Sequence, residues 1–114
     1  MDALVVQFAR NVELQTEAVK RGDSKTGNRH ARQTVAAFNK LASLGDAGRE
    51  ALAGLFVHDS PDVRSTAAAF LLRYRTEDAL AVLREVATGK GMIAFEASEA
   101  IKRWEEGTWK LDPG

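Results

Sequence analysis

The sequence contains no cysteine, which excludes disulfide bonds and thiolate metal ligands. Its two histidines, His30 and His58, supply too few of the preferred ligands for a structural zinc site. We therefore expect the protein to hold neither a metal nor a cofactor. A chain without cysteine also fits a reducing compartment, and the expected location is the cytoplasm.

The sequence also has no long hydrophobic run and no excess of charge of either sign. It lacks both an apolar stretch of about 18 residues and an N-terminal basic region followed by an apolar core, so we expect neither membrane insertion nor export. The 16 Lys and Arg residues balance 16 Asp and Glu residues. The chain as a whole therefore lacks the positive charge of a non-specific polyanion binder. Its 114 residues suit a single domain.

What the sequence does contain is a helical unit that occurs twice. Each of four residues has a counterpart thirty positions later, and an upstream leucine pair recurs after twenty-eight. The pairs are Val63 and Ile93, Ala67 and Ala97, Leu71 and Ile101, Tyr74 and Trp104, Leu52 and Leu80, and Leu55 and Leu83. Apolar residues at helical spacing within a repeat of this length are typical of stacked helix pairs, because one pair alone cannot bury its apolar face.

Six helices are predicted from apolar spacing and capping residues, and no stretch alternates as a strand would. Asp23 or Ser24 is expected to cap the second helix, Ser60 with Pro61 to begin the fourth, and Thr76 to cap the fifth. The expected fold is all-α, a compact right-handed stack of three antiparallel helix pairs. The single domain divides into a long hairpin over 1–45, repeat one over 46–75, repeat two over 76–106, and a tail over 107–114.

The start of the fourth predicted helix resembles the second-helix signature of HEAT repeats. In that signature a turn proline, an aspartate and an arginine precede small packing residues. The matching residues are Ser60, Pro61, Asp62, Val63, Arg64, Ala67 and Ala68. A unit of about 30 residues is shorter than the usual length of about 40 or more, so the short HEAT-like class matches better.

Over nearly its full length the chain is similar to a small bacterial family catalogued as a domain of unknown function, number two-zero-one-nine. The similarity is carried by Asn28, Val63, Arg64, Ala67, the run 95–104, and the closing residues Glu106, Gly107, Thr108 and Trp109. This resemblance implies a HEAT-like superhelix of α-helix pairs and no established enzymatic activity. It also carries an association with immunity proteins that neutralise bacterial toxins.

Several residue groups have the composition of a chemical site but are better explained by structure. His58, Asp59 and Ser60 include the three residue types of a hydrolytic triad, yet neighbours in one tight turn cannot align as nucleophile, base and orienter. The pairs Glu96 with Glu99 and Glu105 with Glu106 are interpreted as solvated helix faces, and the segment 89–91 as a connector without the rest of a P-loop. We therefore expect no enzymatic activity.

Two amides interrupt apolar stripes in the predicted hairpin. Gln15 falls in the stripe of helix one, and Asn28 precedes Ala31 and Val35 on the predicted inward side of helix two. If the chain turns near Asp23, the two amides lie within about one helical turn of each other. We predict a buried hydrogen bond between them that sets the hairpin register, with binding of a ligand as the alternative role.

The predicted contact surface lies on the second helix of each pair, because such helices line one face of a helical repeat and that face commonly binds a partner. Leu72 and Phe95 are apolar residues outside the stripes and have arginines nearby. The predicted partner-binding residues are Arg29, Arg64, Leu72, Arg73 and Phe95. The alternative is that Leu72 and Phe95 pack against the tail, which contains Trp109 and Leu111.

The function predicted from these features is that of a non-catalytic protein-interaction module. Its partner is expected to be another protein, with a toxin as one candidate, and the chain itself a monomer or weak homodimer. The alternative is a nucleic-acid-binding repeat protein that uses basic faces of helices two and four. Acidic residues over 46–62 dilute that charge, so nucleic acid is the less favoured partner.

Overall fold

The computed structural model describes residues 1–108, which form six α-helices, one 3₁₀ helix and no strand. The all-α class is therefore confirmed for this range. The helices are α1 Asp2–Lys20, α2 Ser24–Ala42, α3 Asp46–Ala53, the 3₁₀ helix Gly54–Val57, α4 Pro61–Phe70, α5 Thr76–Ala87 and α6 Met92–Glu105. Trp109 and Leu111, to which the tail-packing alternative refers, lie outside the described residues. None of the described helices is long and apolar enough to cross a membrane.

Contacts along the chain divide it into two units, Met1–Leu55 (unit 1) and Phe56–Gly114 (unit 2). In unit 1, α1 packs along α2, and α3 packs against both. In unit 2, α5 packs between α4 and α6, and α4 also contacts α6. The division falls inside the segment 46–75, so the proposed repeat boundaries stay a prediction.

Two of the three predicted caps are present. The Asp23 carboxylate accepts a hydrogen bond from the Thr26 backbone at 3.1 Å, and Ser60 Oγ accepts one from the Val63 backbone at 3.4 Å. Hydrogen bonds from Thr26 hold the pKa of the Asp23 carboxyl below its ordinary value of 3.8. The predicted Thr76 cap is wrong, because Thr76 is already helical and donates its hydroxyl to the Leu72 carbonyl at 2.6 Å.

The hairpin of unit 1 is antiparallel, with small residues where its helices meet. A β-carbon placed at Gly27 would lie 3.7 Å from the Ala18 methyl group and 3.6 Å from the Val19 side chain, so the backbone of α2 runs close to α1. The hairpin contributes Phe8, Val12 and Ala18 on α1 and Ala37, Phe38 and Leu41 on α2 to the core of this unit.

Gly48 marks a still closer approach between α3 and α2. A β-carbon at this position would overlap the Leu41 backbone carbonyl. Glycine is therefore required here for space, since any side chain would force α3 away from α2. This contact holds the third helix of unit 1 against the hairpin.

The core of unit 2 combines a few large residues with several alanines. Its buried members are Ala68, Leu72, Ala79, Leu83, Val86, Ala97 and Ala100, and Ile93, Ile101 and Trp104 pack at its edge. Alanines on facing helices allow close packing, while the leucines fill the remaining volume. The inward side of α6 is thereby fixed by Ala94, Ala97 and Ala100, which leaves the opposite side in solvent.

Candidate protein-binding surface

The exposed side of α6 carries two large apolar side chains next to a shallow groove. Met92 is 66% exposed and Phe95 is 62% exposed. Their spacing of three residues places them side by side on one helix face. The groove has a volume of about 220 Å³ and is lined by Phe95, Glu96, Glu99, Ala100 and Arg103. We call Met92, Phe95, Glu96, Glu99 and Arg103 the α6 surface.

The α6 surface combines an apolar end with a charged end. Met92 and Phe95 lie in the first turn of the helix, and Arg103 lies in its last turn. Glu99 precedes Arg103 by four residues, an order that favours attraction between the two side chains and agrees with the helix dipole. The arrangement offers an apolar anchor with charged groups beside it, which is the usual composition of a protein interface.

The exposure of Phe95 agrees with its prediction as a contact residue, whereas Met92 and Arg103 were not among the predicted contacts. Met92 lies three residues before Phe95 and Arg103 eight residues after it, so helical spacing alone places all three on one side. That signal was present in the sequence. The predicted contacts were confined to Phe95 on this helix because Met92 lies at the helix start and was not weighed as an exposed apolar residue.

The prediction that Leu72 forms part of an exposed surface is wrong. Leu72 is completely buried and belongs to the core of unit 2. The physical reason is that α4 ends at Phe70, and its C-cap Leu71 already departs from helical geometry. Leu72 therefore lies in a turn, and continuing the helical period of α4 past its end assigned this side chain to the wrong side.

Arg64 was predicted as an exposed contact residue, but its side chain is only 22% exposed. Its guanidinium donates hydrogen bonds to the His58 carbonyl at 2.7 Å and the Asp59 carbonyl at 3.0 Å. It also lies 3.6 Å from a carboxylate oxygen of Glu85 on α5. Arg64 therefore connects the turn before α4 to α5. Its prediction as a residue of the contact surface is wrong.

Arg73 and Arg29 are both exposed, as predicted, but they belong to different units. Arg73 lies in the turn after α4 rather than on the helix, and Arg29 lies on α2 in unit 1. Among residues 1–108, neither of these arginines contributes to the groove beside Phe95. Of the five predicted contact residues, Phe95 is the one that the α6 surface includes.

The predicted hydrogen bond between Gln15 and Asn28 is wrong, because Asn28 is exposed and the described residues show no bond between the two amides. Gly27 occupies the inward position that Asn28 was expected to take. A different polar pair joins the hairpin: Asn11 Oδ1 and His30 Nδ1 are 2.8 Å apart. Asn11 donates its amide hydrogen to the Gln7 carbonyl at 2.8 Å, so its oxygen accepts from the His30 ring.

The residues that superficially suggest a catalytic triad have structural roles. The His58 ring nitrogen Nδ1 accepts a hydrogen bond from the Ser60 backbone at 3.0 Å, and Ser60 caps α4. Among residues 1–108, no three His, Asp or Glu side chains are grouped in a way that could hold a metal ion.

Comparison with known proteins supports the fold. The chain is similar to a solved structure, the crystal structure of the protein RPA1889 from Rhodopseudomonas palustris CGA009, with 25% sequence identity and a TM-score of 0.88. The match covers 95% of this chain and 90% of the other. No protein-family model matches the sequence, and no curated protein does either. The name of the similar protein states no activity, so the likeness concerns the fold.

Proposed function

We propose that this protein is a non-catalytic protein-interaction module that binds its partner through the α6 surface. The observation that carries the proposal is the exposure of Phe95 and Met92 side by side, with Glu96, Glu99 and Arg103 on the same helix beside them. Phe95 is a large aromatic side chain, the kind that supplies much of the free energy of association at protein interfaces. The proposal also includes the arrangement of the helices, which is a HEAT-like right-handed stack of three antiparallel helix pairs.

Burial of the two apolar side chains would contribute favourable free energy to association. Complete burial of a Phe or Met side chain contributes about 1.5 to 3 kcal/mol each. Glu96 and Glu99 are two carboxylates beside that apolar anchor, with Arg103 further along the helix. Complementary charge on a partner raises the association rate and rejects unsuitable partners. The best-fitting partner therefore presents an apolar side chain with basic groups next to it.

The partner in this proposal is a second protein in the cytoplasm, and a toxin neutralised by this chain is one candidate. The support for a cytoplasmic setting is the lack of cysteine. Binding of nucleic acid by the basic face of helix four has less support. Arg64 on this helix binds within its own unit, and Arg75, in the turn after it, pairs with Asp78 at 2.9 Å.

The test begins with affinity capture from the source cells, identification of the captured protein, and titration with that protein in purified form. We then expect Phe95→Asp to weaken binding by at least about 30-fold, the effect of a residue worth about 2 kcal/mol or more at an interface. Circular dichroism should show unchanged helical content, because Phe95 is exposed.

Val57→Asp is the matched control for this experiment. Val57 is also an exposed apolar residue of unit 2, and the substitution introduces the same charge away from α6. We expect its affinity to remain within about twofold of the original. If Phe95→Asp binds normally, or if Val57→Asp loses binding equally, the α6 surface is not the interface.

A further inference from the structure

The exposed side of α2 carries four cations, three of them within its first nine residues and the fourth about two turns further along. Lys25, Arg29, Arg32 and Lys40 follow one another at intervals of four, three and eight residues, which keeps all four on one side of the helix. All four are exposed. Residues 24–45 contain no aspartate or glutamate. We call these four residues the α2 basic row.

The orientation of α2 keeps these charges in solvent. The buried residues of the helix are Gly27, Thr34, Ala37, Phe38 and Leu41, on the side opposite to the basic row. Within residues 1–108, no carboxylate lies at ion-pair distance from any of the four cations. Arg29 acts on Asp23 at longer range, where it adds to the lowering of that pKa. The positive charge of the row is therefore not neutralised by described neighbours.

The chemistry of the basic row distinguishes among anionic partners. Interfaces between proteins depend on aromatic or large apolar anchors, and single-stranded nucleic acid needs exposed aromatic rings on which bases stack. In unit 1 both aromatic residues, Phe8 and Phe38, are buried. A row of cations without an aromatic anchor suits a duplex, in which the bases are already stacked and the phosphates face outward.

The dimensions of the row agree with a phosphate backbone. At 1.5 Å per residue, the fifteen steps from Lys25 to Lys40 extend over about 22 Å. Each strand of a duplex presents a phosphate about every 3.4 Å along the axis and winds round that axis once in about 10 base pairs, so a straight row of this length can contact a few phosphates on the facing side. We infer that the α2 basic row binds the phosphate backbone of double-stranded nucleic acid, without reading its sequence. This function is independent of the α6 surface, which lies in the other unit.

The test is fluorescence anisotropy with a labelled 20-base-pair DNA duplex over a range of salt concentrations. Four phosphate contacts predict a slope of about −3.6 for log K against log salt concentration, so affinity falls by about 100-fold between 50 and 200 mM salt. The triple variant Arg29→Gln, Arg32→Gln and Lys40→Gln should reduce the slope to about −0.9. Glutamine keeps the helix propensity close to that of Lys and Arg, so folding is retained.

A second triple variant, Arg10→Gln, Arg84→Gln and Lys90→Gln, is the control. It removes the same charge at exposed positions outside the row and should keep the original slope. The inference is overturned if no duplex binds at 25 mM salt, or if the control loses binding as the row variant does. Tighter binding of single-stranded DNA, or of polyglutamate representing an acidic protein, would also overturn it.

Discussion

The two units of this protein expose different chemistry on α2 and α6. In unit 1, α2 presents the four cations of the basic row, and both aromatic side chains are buried. In unit 2, α6 presents Met92 and Phe95 beside charges of both signs. Each helix is held on its opposite side by buried residues, which on α2 include Phe38 and Leu41 and on α6 are Ala94, Ala97 and Ala100. The chemistry of each surface is therefore set by the side chains that remain in solvent.

The units also differ in how they achieve close packing. Unit 1 has glycine where its helices meet: a β-carbon at Gly48 would overlap the Leu41 backbone, and one at Gly27 would be in ordinary contact with α1. Unit 2 uses alanines and fills the remaining space with Leu72, Leu83 and Val86. A unit that depends on backbone approach is sensitive to added atoms, whereas one that depends on large side chains is sensitive to lost atoms. Substitutions in the two units test this difference directly.

The largest expected effect is in the core of unit 2. Leu72→Ala should reduce the free energy of unfolding by about 2 to 5 kcal/mol, because it removes buried methyl groups and leaves a cavity. Phe95→Ala on the exposed side of α6 should change it by less than about 0.5 kcal/mol. Urea denaturation followed by circular dichroism measures both. Equal effects at the two positions would mean that the distinction between core and surface in unit 2 is incorrect.

A smaller effect, of the opposite physical origin, is expected in unit 1. Gly48→Ala adds one methyl group that meets the Leu41 carbonyl, and overpacking of this kind costs about 1 to 3 kcal/mol. Gly54→Ala is the control, since a β-carbon there has no neighbour within 4 Å. The control should be neutral or stabilising by about 0.4 to 1 kcal/mol. An unchanged midpoint for Gly48→Ala in urea denaturation would contradict the close approach.

The smallest difference concerns the helix caps, which are charged in unit 1 and neutral in unit 2. Ser60→Ala should cost about 1 kcal/mol at both pH 7 and pH 3. Asp23→Ala should cost most at neutral pH, because a carboxyl with a lowered pKa stabilises the fold above its ordinary value of 3.8 and loses this effect as the pH falls through the folded value.

Urea denaturation of both cap variants and the original protein at pH 7, 5 and 3 measures this contrast. A loss at Asp23 that stays constant from pH 7 to pH 3 would show that its charge does not contribute to capping. A pH-dependent loss at Ser60 would show that the comparison reflects general acid destabilisation rather than the cap itself.

Much of the local structure was predictable from the sequence. The all-α class and the Asp23 and Ser60 caps follow from capping chemistry and apolar spacing, which act within a few residues. The exposure of Phe95 followed from the same spacing. These features depend on the hydrogen bonds of a single helix and its ends, so neighbouring residues contain the information.

Burial was predicted incorrectly at positions where it does not follow the spacing of apolar residues. On α2 the sequence suggested that Val35 lies inside, but Val35 is 42% exposed and Thr34 is buried. The Thr34 hydroxyl donates a hydrogen bond to the His30 carbonyl at 3.0 Å. Because this bond within the helix satisfies the hydroxyl, the side chain can be buried. Gly27 is buried because α1 comes close. Hydrophobicity does not predict the burial of Thr34 or Gly27, since threonine is polar and glycine has no side chain.

Residues close together in the chain are enough to predict that it forms helices and where several of them begin, because capping and backbone hydrogen bonds are local. The side of each helix that meets its neighbours depends on tertiary packing, because a side chain is buried by residues distant in sequence. Tertiary packing places Leu72 in the core of unit 2 and binds Arg64 within the same unit. It also leaves the four cations of α2 and Phe95 of α6 exposed to solvent.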